Sequence, residues 1–178
     1  NNAVFSADGR RILTASDDYT AQLWDADGKP VATLAGHTRA VNSAVFSADG
    51  RHILTASYDK TTRLWDADAA HIATLAGHTD SVHSAVFSAD GRRILTASDD
   101  NTPRLWNADG KPIANLPGHI GFVRHAVFSA DGRRVLTASG EIMARLWDAD
   151  GKPVATLNGH RGAVYSAVFS TDGRRILT

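Results

Sequence analysis

Short apolar segments alternate with polar turns along the whole chain. Residues 42–82 show the pattern plainly, reading NSAVFS, ADGR, HILTAS, YDK, TTRLWD, ADAA, HIATLA and GHT in order. The apolar segments are rich in Val, Ile, Leu, Thr and aromatic residues, which suit a pleated, half-buried surface. Between them stand Asp-Gly or Gly-His pairs. Asp8-Gly9, Asp49-Gly50, Asp90-Gly91, Asp131-Gly132 and Asp172-Gly173 are hairpin signals, because glycine accepts positive φ without steric cost. No 3.6-residue periodicity is sustained. The pattern predicts an all-β chain built from groups of four short antiparallel strands, a to d in chain order.

The groups recur at a fixed period. Phe5, Phe46, Phe87, Phe128 and Phe169 are 41 residues apart, as are Trp24, Trp65, Trp106 and Trp147, and His37, His78, His119 and His160. The units run 1–41, 42–82, 83–123 and 124–164, and residues 165–178 repeat 1–14 as a partial fifth. The first two units differ at only 12 of 41 positions, which points to recent blade duplication or to deliberate construction. One four-stranded sheet cannot bury its own faces, whereas sheets stacked radially about an axis bury each other's and leave only short edges.

Each whole unit closes strand d with Gly-His, at 36–37, 77–78, 118–119 and 159–160. Strand c closes with Trp-Asp at 24–25, 65–66 and 147–148, and with Trp106-Asn107 in the third unit. Four such pairs in register at one period are far more specific than any single pair. In these features the chain resembles the WD-repeat β-propeller family over its entire length. The resemblance implies four full blades plus the first half of a fifth, in a single propeller segment spanning 1–178.

It also implies a structural hydrogen-bond tetrad in each blade. Carried over position by position, the tetrads are His37, Ser57, Asp59 and Trp65; His78, Ser98, Asp100 and Trp106; and His119, Ser139, Glu141 and Trp147. A buried indole N–H, imidazole and carboxylate each need a partner, and such a set satisfies its own members. Glu141 departs from Asp by one methylene, within the divergent stretch SGEIM, so a distorted fourth network is expected. Ser, His and Asp together invite a hydrolase reading. A set repeated in every blade is instead a device of the fold, since catalysis needs one exposed nucleophile beside an oxyanion hole. The DADG stretches at 25–28 and 148–151 lack the rest of a calcium loop and read as tight turns. The histidines outside the tetrads, His52, His71, His83 and His125, occupy non-equivalent places, so neither a metal site nor any cofactor is expected.

Composition narrows the partners. Lys plus Arg and Asp plus Glu each total 19, so the net charge is zero and nothing favours nucleic acid or an anionic membrane. There is no cysteine, hence no disulfide framework or thiolate chemistry. No apolar run is long enough to span a bilayer and no signal-peptide pattern opens the chain, so a cytoplasmic location is expected. The chain opens inside a recognisable unit, and its natural start is expected to lie outside these residues.

Comparison of the units locates the variable face. The a–b turn is nearly constant, SADGR in four units and STDGR in the last, while the b–c turn (DDYT, YDKT, DDNT, GEIM) and the d–a connection (HTRA, HTDS, HIGF, HRGA) diverge. The first residue of strand a also varies, as Asn42, His83, Arg124 and Tyr165. In an up-and-down sheet the b–c and d–a loops share one end, here termed the top, where members of the resembled family generally bind peptides or proteins. The candidate contacts are Tyr19, Arg39, Tyr58, Lys60, Asp80, Asn101, Phe122, Ile142 and Arg161, because exposed aromatics and arginines are typical anchors.

Propellers of this family usually have about seven blades, so four make an arc with two open faces. Unit one carries Ser16, Asp18 and Trp24 without a preceding Gly-His, and His160 lacks the Asp and Trp that should answer it. These four residues form a candidate inter-chain tetrad. The expectation is therefore a homodimer closing a ring of about eight or nine blades, a non-enzymatic scaffold presenting its top face to a protein or peptide. The alternatives are a purely structural or engineered self-assembling array without a selected ligand, or a fragment of a longer propeller.

Overall fold

The SADGR turns show how the strands are initiated. In the computed structural model, which describes residues 2–178, Asp8 Oδ1 accepts from the Ser6 hydroxyl at 2.7 Å and from the Arg10 backbone N–H at 3.1 Å. Gly9 supplies the positive φ of 69°. The same Ser–Asp–Arg arrangement recurs around Asp49, Asp90, Asp131 and Asp172. In each turn the serine hydroxyl and the backbone N–H hold the carboxyl below its ordinary range. The near constancy of these turns thus has a local cause: each residue of the motif is used.

Four sheets of four antiparallel strands follow one another, each in the order of the chain. The first comprises β1 (Ala3–Phe5), β2 (Arg11–Ala15), β3 (Ala21–Asp25) and β4 (Pro30–Leu34). The second comprises β5 (Val41–Phe46), β6 (His52–Ser57), β7 (Thr62–Asp66) and β8 (His71–Leu75). The third holds β9 (Val82–Phe87), β10 (Arg93–Ser98), β11 (Arg104–Asn107) and β12 (Pro112–Asn115). The fourth holds β13 (Val123–Phe128), β14 (Arg134–Ser139), β15 (Ala144–Asp148) and β16 (Pro153–Leu157). A hairpin of β17 (Val168–Phe169) and β18 (Ile176–Leu177) begins a fifth. No helix occurs among the described residues. The strands fall where the apolar segments predict them, and the sheets are blades of the kind the resemblance implies.

Contacts between blades run mainly through their first two strands: β5 packs on β9, β9 on β13, β6 on β9 and β10 on β13. Strands a therefore lie closest together, near the axis of the arc, and strands d lie at its outer edge. Each inter-blade core has one recipe. Leu13, Leu23 and Leu34 of the first blade meet Val41, Ala44, Ile53 and Trp65 of the second. Leu54, Leu64 and Leu75 meet Val82, Ala85, Ile94 and Trp106. Leu95, Leu105 and Leu116 meet Val123, Ala126, Val135 and Trp147. A blade thus presents leucines to the blade after it and a tryptophan to the blade before it.

The 165–178 hairpin sits on the fourth blade, with Val164 and Ala167 buried and Phe169 and Ile176 partly so against Leu136 and Leu146. Its register, Val168↔Leu177 and Phe169↔Ile176, reproduces Val4↔Leu13 and Phe5↔Ile12 of the first blade. The two hairpins differ at only three of 14 positions, yet their surroundings differ. Leu95 is 0% exposed between the third and fourth blades, while Leu177, at the equivalent position of the partial unit, is 71% exposed. Burial and not residue type therefore sets what such a leucine contributes. Leu95→Ala is expected to cost about 2–5 kcal/mol and Leu177→Ala below about 0.5 kcal/mol in the isolated chain, as measured by urea unfolding.

Candidate functional site

A chain of hydrogen bonds joins each Gly-His corner to the blade that follows it. His37 Nδ1 meets Asp59 Oδ2 at 2.7 Å, and His37 Nε2 meets Thr55 Oγ1 at 2.8 Å. Trp65 Nε1 donates to the same Thr55 oxygen at 2.9 Å. The third blade repeats this with His78, Asp100, Thr96 and Trp106, and the fourth with His119, Thr137 and Trp147. An ionised Asp fixes the Nδ1–H tautomer, leaving Nε2 to accept from the threonine hydroxyl. Asp59 accepts in addition from the Thr38 backbone N–H at 3.1 Å, and Asp100 from that of Thr79 at 3.0 Å. Every polar group inside each network is thereby partnered.

The bridging hydroxyl is the threonine and not the serine two residues later. Trp65 stands opposite Ile53 across the β6–β7 pair, which makes Thr55 its diagonal neighbour, within reach of the indole. Ser57 lies roughly 13 Å from Ile53 along the strand at about 3.3 Å per residue, beyond that reach. Its hydroxyl instead donates to the Arg39 carbonyl and accepts from the Asp59 backbone N–H. Ser98 does the same with Asp80 and Asp100, and Ser139 accepts from the Glu141 N–H. These serines shape the b–c turn that aims the carboxylate. In the first unit likewise Thr14, not Ser16, takes the Trp24 indole, at 2.9 Å, and Ser16 accepts from the Asp18 N–H.

The fourth network is built on a longer carboxylate. Glu141 Oε1 is in hydrogen-bond contact with His119 Nδ1, and Arg145 Nε lies 3.8 Å from the same oxygen. Thr61 Oγ1 supports Asp59 Oδ1 at 2.6 Å, but Met143 stands at the equivalent place and offers no hydroxyl. Burial depresses the His119 pKa, and the Glu141 carboxylate only partly opposes it.

At the two ends of the arc the network is present in halves. Trp24 bonds Thr14, and Asp18 Oδ1 accepts from Thr20, with no imidazole present. His160 Nε2 meets Thr178 Oγ1 at 2.7 Å, with neither carboxylate nor indole. His160 is exposed, whereas His37, His78 and His119 are buried. Within one chain the structure does not bring His160 to Asp18 and Trp24.

The candidate binding residues lie where the loop comparison puts them. Tyr19, Arg39, Tyr58, Lys60, Asp80, Phe122, Ile142 and Arg161 are exposed, and Asn101 is half-buried. Tyr58 belongs to a small network at the top of the second and third blades. Its hydroxyl donates to Asn42 Oδ1 at 3.3 Å, and Asn42 Nδ2 donates to the His83 carbonyl at 2.7 Å. His83 Nε2 lies 2.7 Å from Asp99 Oδ2. Asn42 and His83 vary between units, and a single unit carries no sign of this connection between blades. Ile120, outside the candidate contacts, is the most exposed large apolar side chain among the described residues. The available signal was an isoleucine where the two preceding units have Thr38 and Thr79.

A family model described as WD domain, G-beta repeat matches residues 1–25, 28–66, 70–107, 110–148 and 151–178. No curated protein matches the chain.

Two outcomes test the network. Thr96→Val removes the bridge between Trp106 and His78 and leaves buried groups unpaired, at an expected cost of about 2–3 kcal/mol. Thr96→Ser keeps the bridge and is expected to cost under about 1 kcal/mol, with urea unfolding separating the two. The second outcome concerns acid. Burial pushes the Asp100 carboxyl up, but the His78 hydrogen bond, the attraction of its imidazole and the backbone N–H groups outweigh it and hold the pKa at about 2. Asp59 is held lower still. A carboxyl depressed in the folded state adds stability above its unfolded value and loses it as the pH falls through the folded one. Stability is therefore expected to decline from about pH 4 down to about 2, followed by tryptophan fluorescence.

Proposed function

The chain belongs to the WD-domain, G-beta repeat family, and from that premise we propose that it is a non-enzymatic scaffold. In this reading it associates with a second copy into a closed propeller and presents its top face to a protein or peptide. Repeats of this family typically mediate protein interactions, and blades of this type form a rigid frame for surface loops.

The observation that carries the pairing is the complementarity of the open surfaces. The first blade turns Phe5, Ile12, Thr14 and Trp24 outward, the residues by which later blades meet the blade before them. The fourth blade and its hairpin turn out Leu157, Val168 and Leu177, whose counterparts meet the blade after. The interface they would form already occurs three times within the chain. Where the first two strands of one copy take the place of the other's 165–178 hairpin, His160 of that other copy would meet Thr14, Trp24 and Asp18 in place of its own Thr178. Two copies supply eight four-stranded blades and two hairpins, for a ring of about eight or nine blades.

Support for the top face comes from the exposed, unit-specific side chains Tyr19, Arg39, Lys60 and Arg161, set on a frame whose opposite turns hardly vary. The constant turns serve the fold, so variation confined to the other end is where specificity can reside.

Light scattering after size exclusion is expected to give a mass near twice the 19.0 kDa chain. Trp24→Ala and His160→Ala should each shift the protein toward the monomer, because each removes one half of the shared interface. A single-chain mass at every concentration would contradict the pairing. For the top face, a partner retained by the wild type should be lost on substituting Arg39, Tyr58 or Lys60 while the mass is unchanged.

A further inference from the structure

The top of the fourth blade departs from the others in backbone and in chemistry. Tyr19, Lys60 and Asn101 occupy one position of the b–c turn and take φ of 76°, 75° and 66°. Ile142 occupies that position without a positive φ, as suits a β-branched residue that the left-handed region disfavours. The fourth unit therefore builds a different turn. Gly140 N–H donates to the Phe122 carbonyl at 2.9 Å, as Tyr58 and Asp99 do to Ala40 and Ser81, so this turn too lies against its d–a loop. Val164 N–H donates to the Glu141 carbonyl at 2.9 Å, which brings the 158–164 loop to its other side.

The rebuilt top carries apolar side chains where the other units carry small or polar ones. Ile120 replaces Thr38 and Thr79, Phe122 replaces Ala40 and Ser81, and Met143 replaces Thr61 and Thr102. Ile120, Phe122 and Ile142 are 83%, 52% and 49% exposed. The second and third blades carry none of these apolar side chains at the equivalent places. A cluster of exposed apolar residues confined to one blade marks a contact surface.

Charge indicates what the surface meets. Across residues 117–124, 139–145 and 158–165 the sole acid is Glu141, which is buried against His119. The exposed ionic groups there are Arg124 and Arg161, both cationic. The third blade's top differs, with Asp80 exposed and Asp99 beside His83.

We propose that the top of the fourth blade is a docking site for an extended peptide segment carrying a leucine-like or aromatic side chain flanked by aspartate or glutamate. The apolar side chain covers Ile120, Phe122 and Ile142, and the flanking acids face Arg124 and Arg161. This rests on the top-face reading above and narrows it to one blade and one ligand chemistry.

The test uses the labelled hexapeptide Glu-Glu-Leu-Phe-Glu-Glu, with binding followed by fluorescence anisotropy. The comparison protein carries Ile120→Thr, Phe122→Ser and Ile142→Asn together, which places there the residues found at the top of the third blade, Thr79, Ser81 and Asn101. Binding to the wild type is expected to weaken about tenfold or more in this variant. It should also weaken in Arg161→Gln, and with Lys in place of Glu in the peptide. Equal binding to wild type and variant, indifference to the flanking charge, or no binding at about 1 mM peptide would overturn the site. A fall in mass by light scattering in the triple variant would overturn it too, by assigning the patch to contact between copies. Partner loss through Arg39, Tyr58 or Lys60 alone would sink this site while leaving the top-face reading intact.

Discussion

The hydrogen-bond chain from imidazole through threonine hydroxyl to indole, anchored by a carboxylate, couples each repeat to the next. Its histidine belongs to the end of one unit, and its threonine, carboxylate and tryptophan to the sheet of the following one. The sequence period and the hydrogen-bonded unit are therefore out of phase, so no blade is complete without its predecessor's Gly-His. The bridge is buried in three blades, where an unpaired indole or imidazole would cost roughly 1–3 kcal/mol, and this makes the coupling specific as well as favourable.

Apolar packing follows the same phase. Each blade gives leucines forward and receives them against its own tryptophan, and Trp65, Trp106 and Trp147 are buried by that exchange. Trp24 has the same neighbours within its sheet but no leucine face before it, and it stays half-buried. Both the polar and the apolar halves of the coupling are thus open at the same two surfaces. The proposed pairing of copies rests on that coincidence and needs no contact type that the chain does not already make three times.

The strands, their order and the blade architecture were legible from the 41-residue period and the Asp-Gly turns, because burial of alternating apolar segments leaves few other arrangements. The histidines, carboxylates and tryptophans of the networks were legible as well. The hydroxyl was not: Thr55 and Ser57 lie on one face of β6, and only the pairing of Ile53 with Trp65 decides between them. The rebuilt turn of the fourth unit was visible as the divergent SGEIM, but the change at Ile142 from the left-handed region to ordinary φ is a property of the backbone. Connections between blades such as Asn42 to His83, and Asn2 to Ala44, join residues 41 or more positions apart and leave no trace in a single unit.

The constant and the variable turns occupy opposite ends of each blade. The a–b turns consume their own Ser, Asp and Gly in holding the hairpin, whereas the b–c and d–a loops rest on the networks and leave their tips free. Amide-type exchange of the four tryptophan indole protons, resolved by NMR, tests the central claim that these networks hold the blades and are shared where the arc is open. Slow exchange is expected for Trp65, Trp106 and Trp147 at all concentrations, and for Trp24 fast exchange in dilute protein that slows as copies associate. Four indoles exchanging alike, or a Trp24 indifferent to concentration, would contradict it.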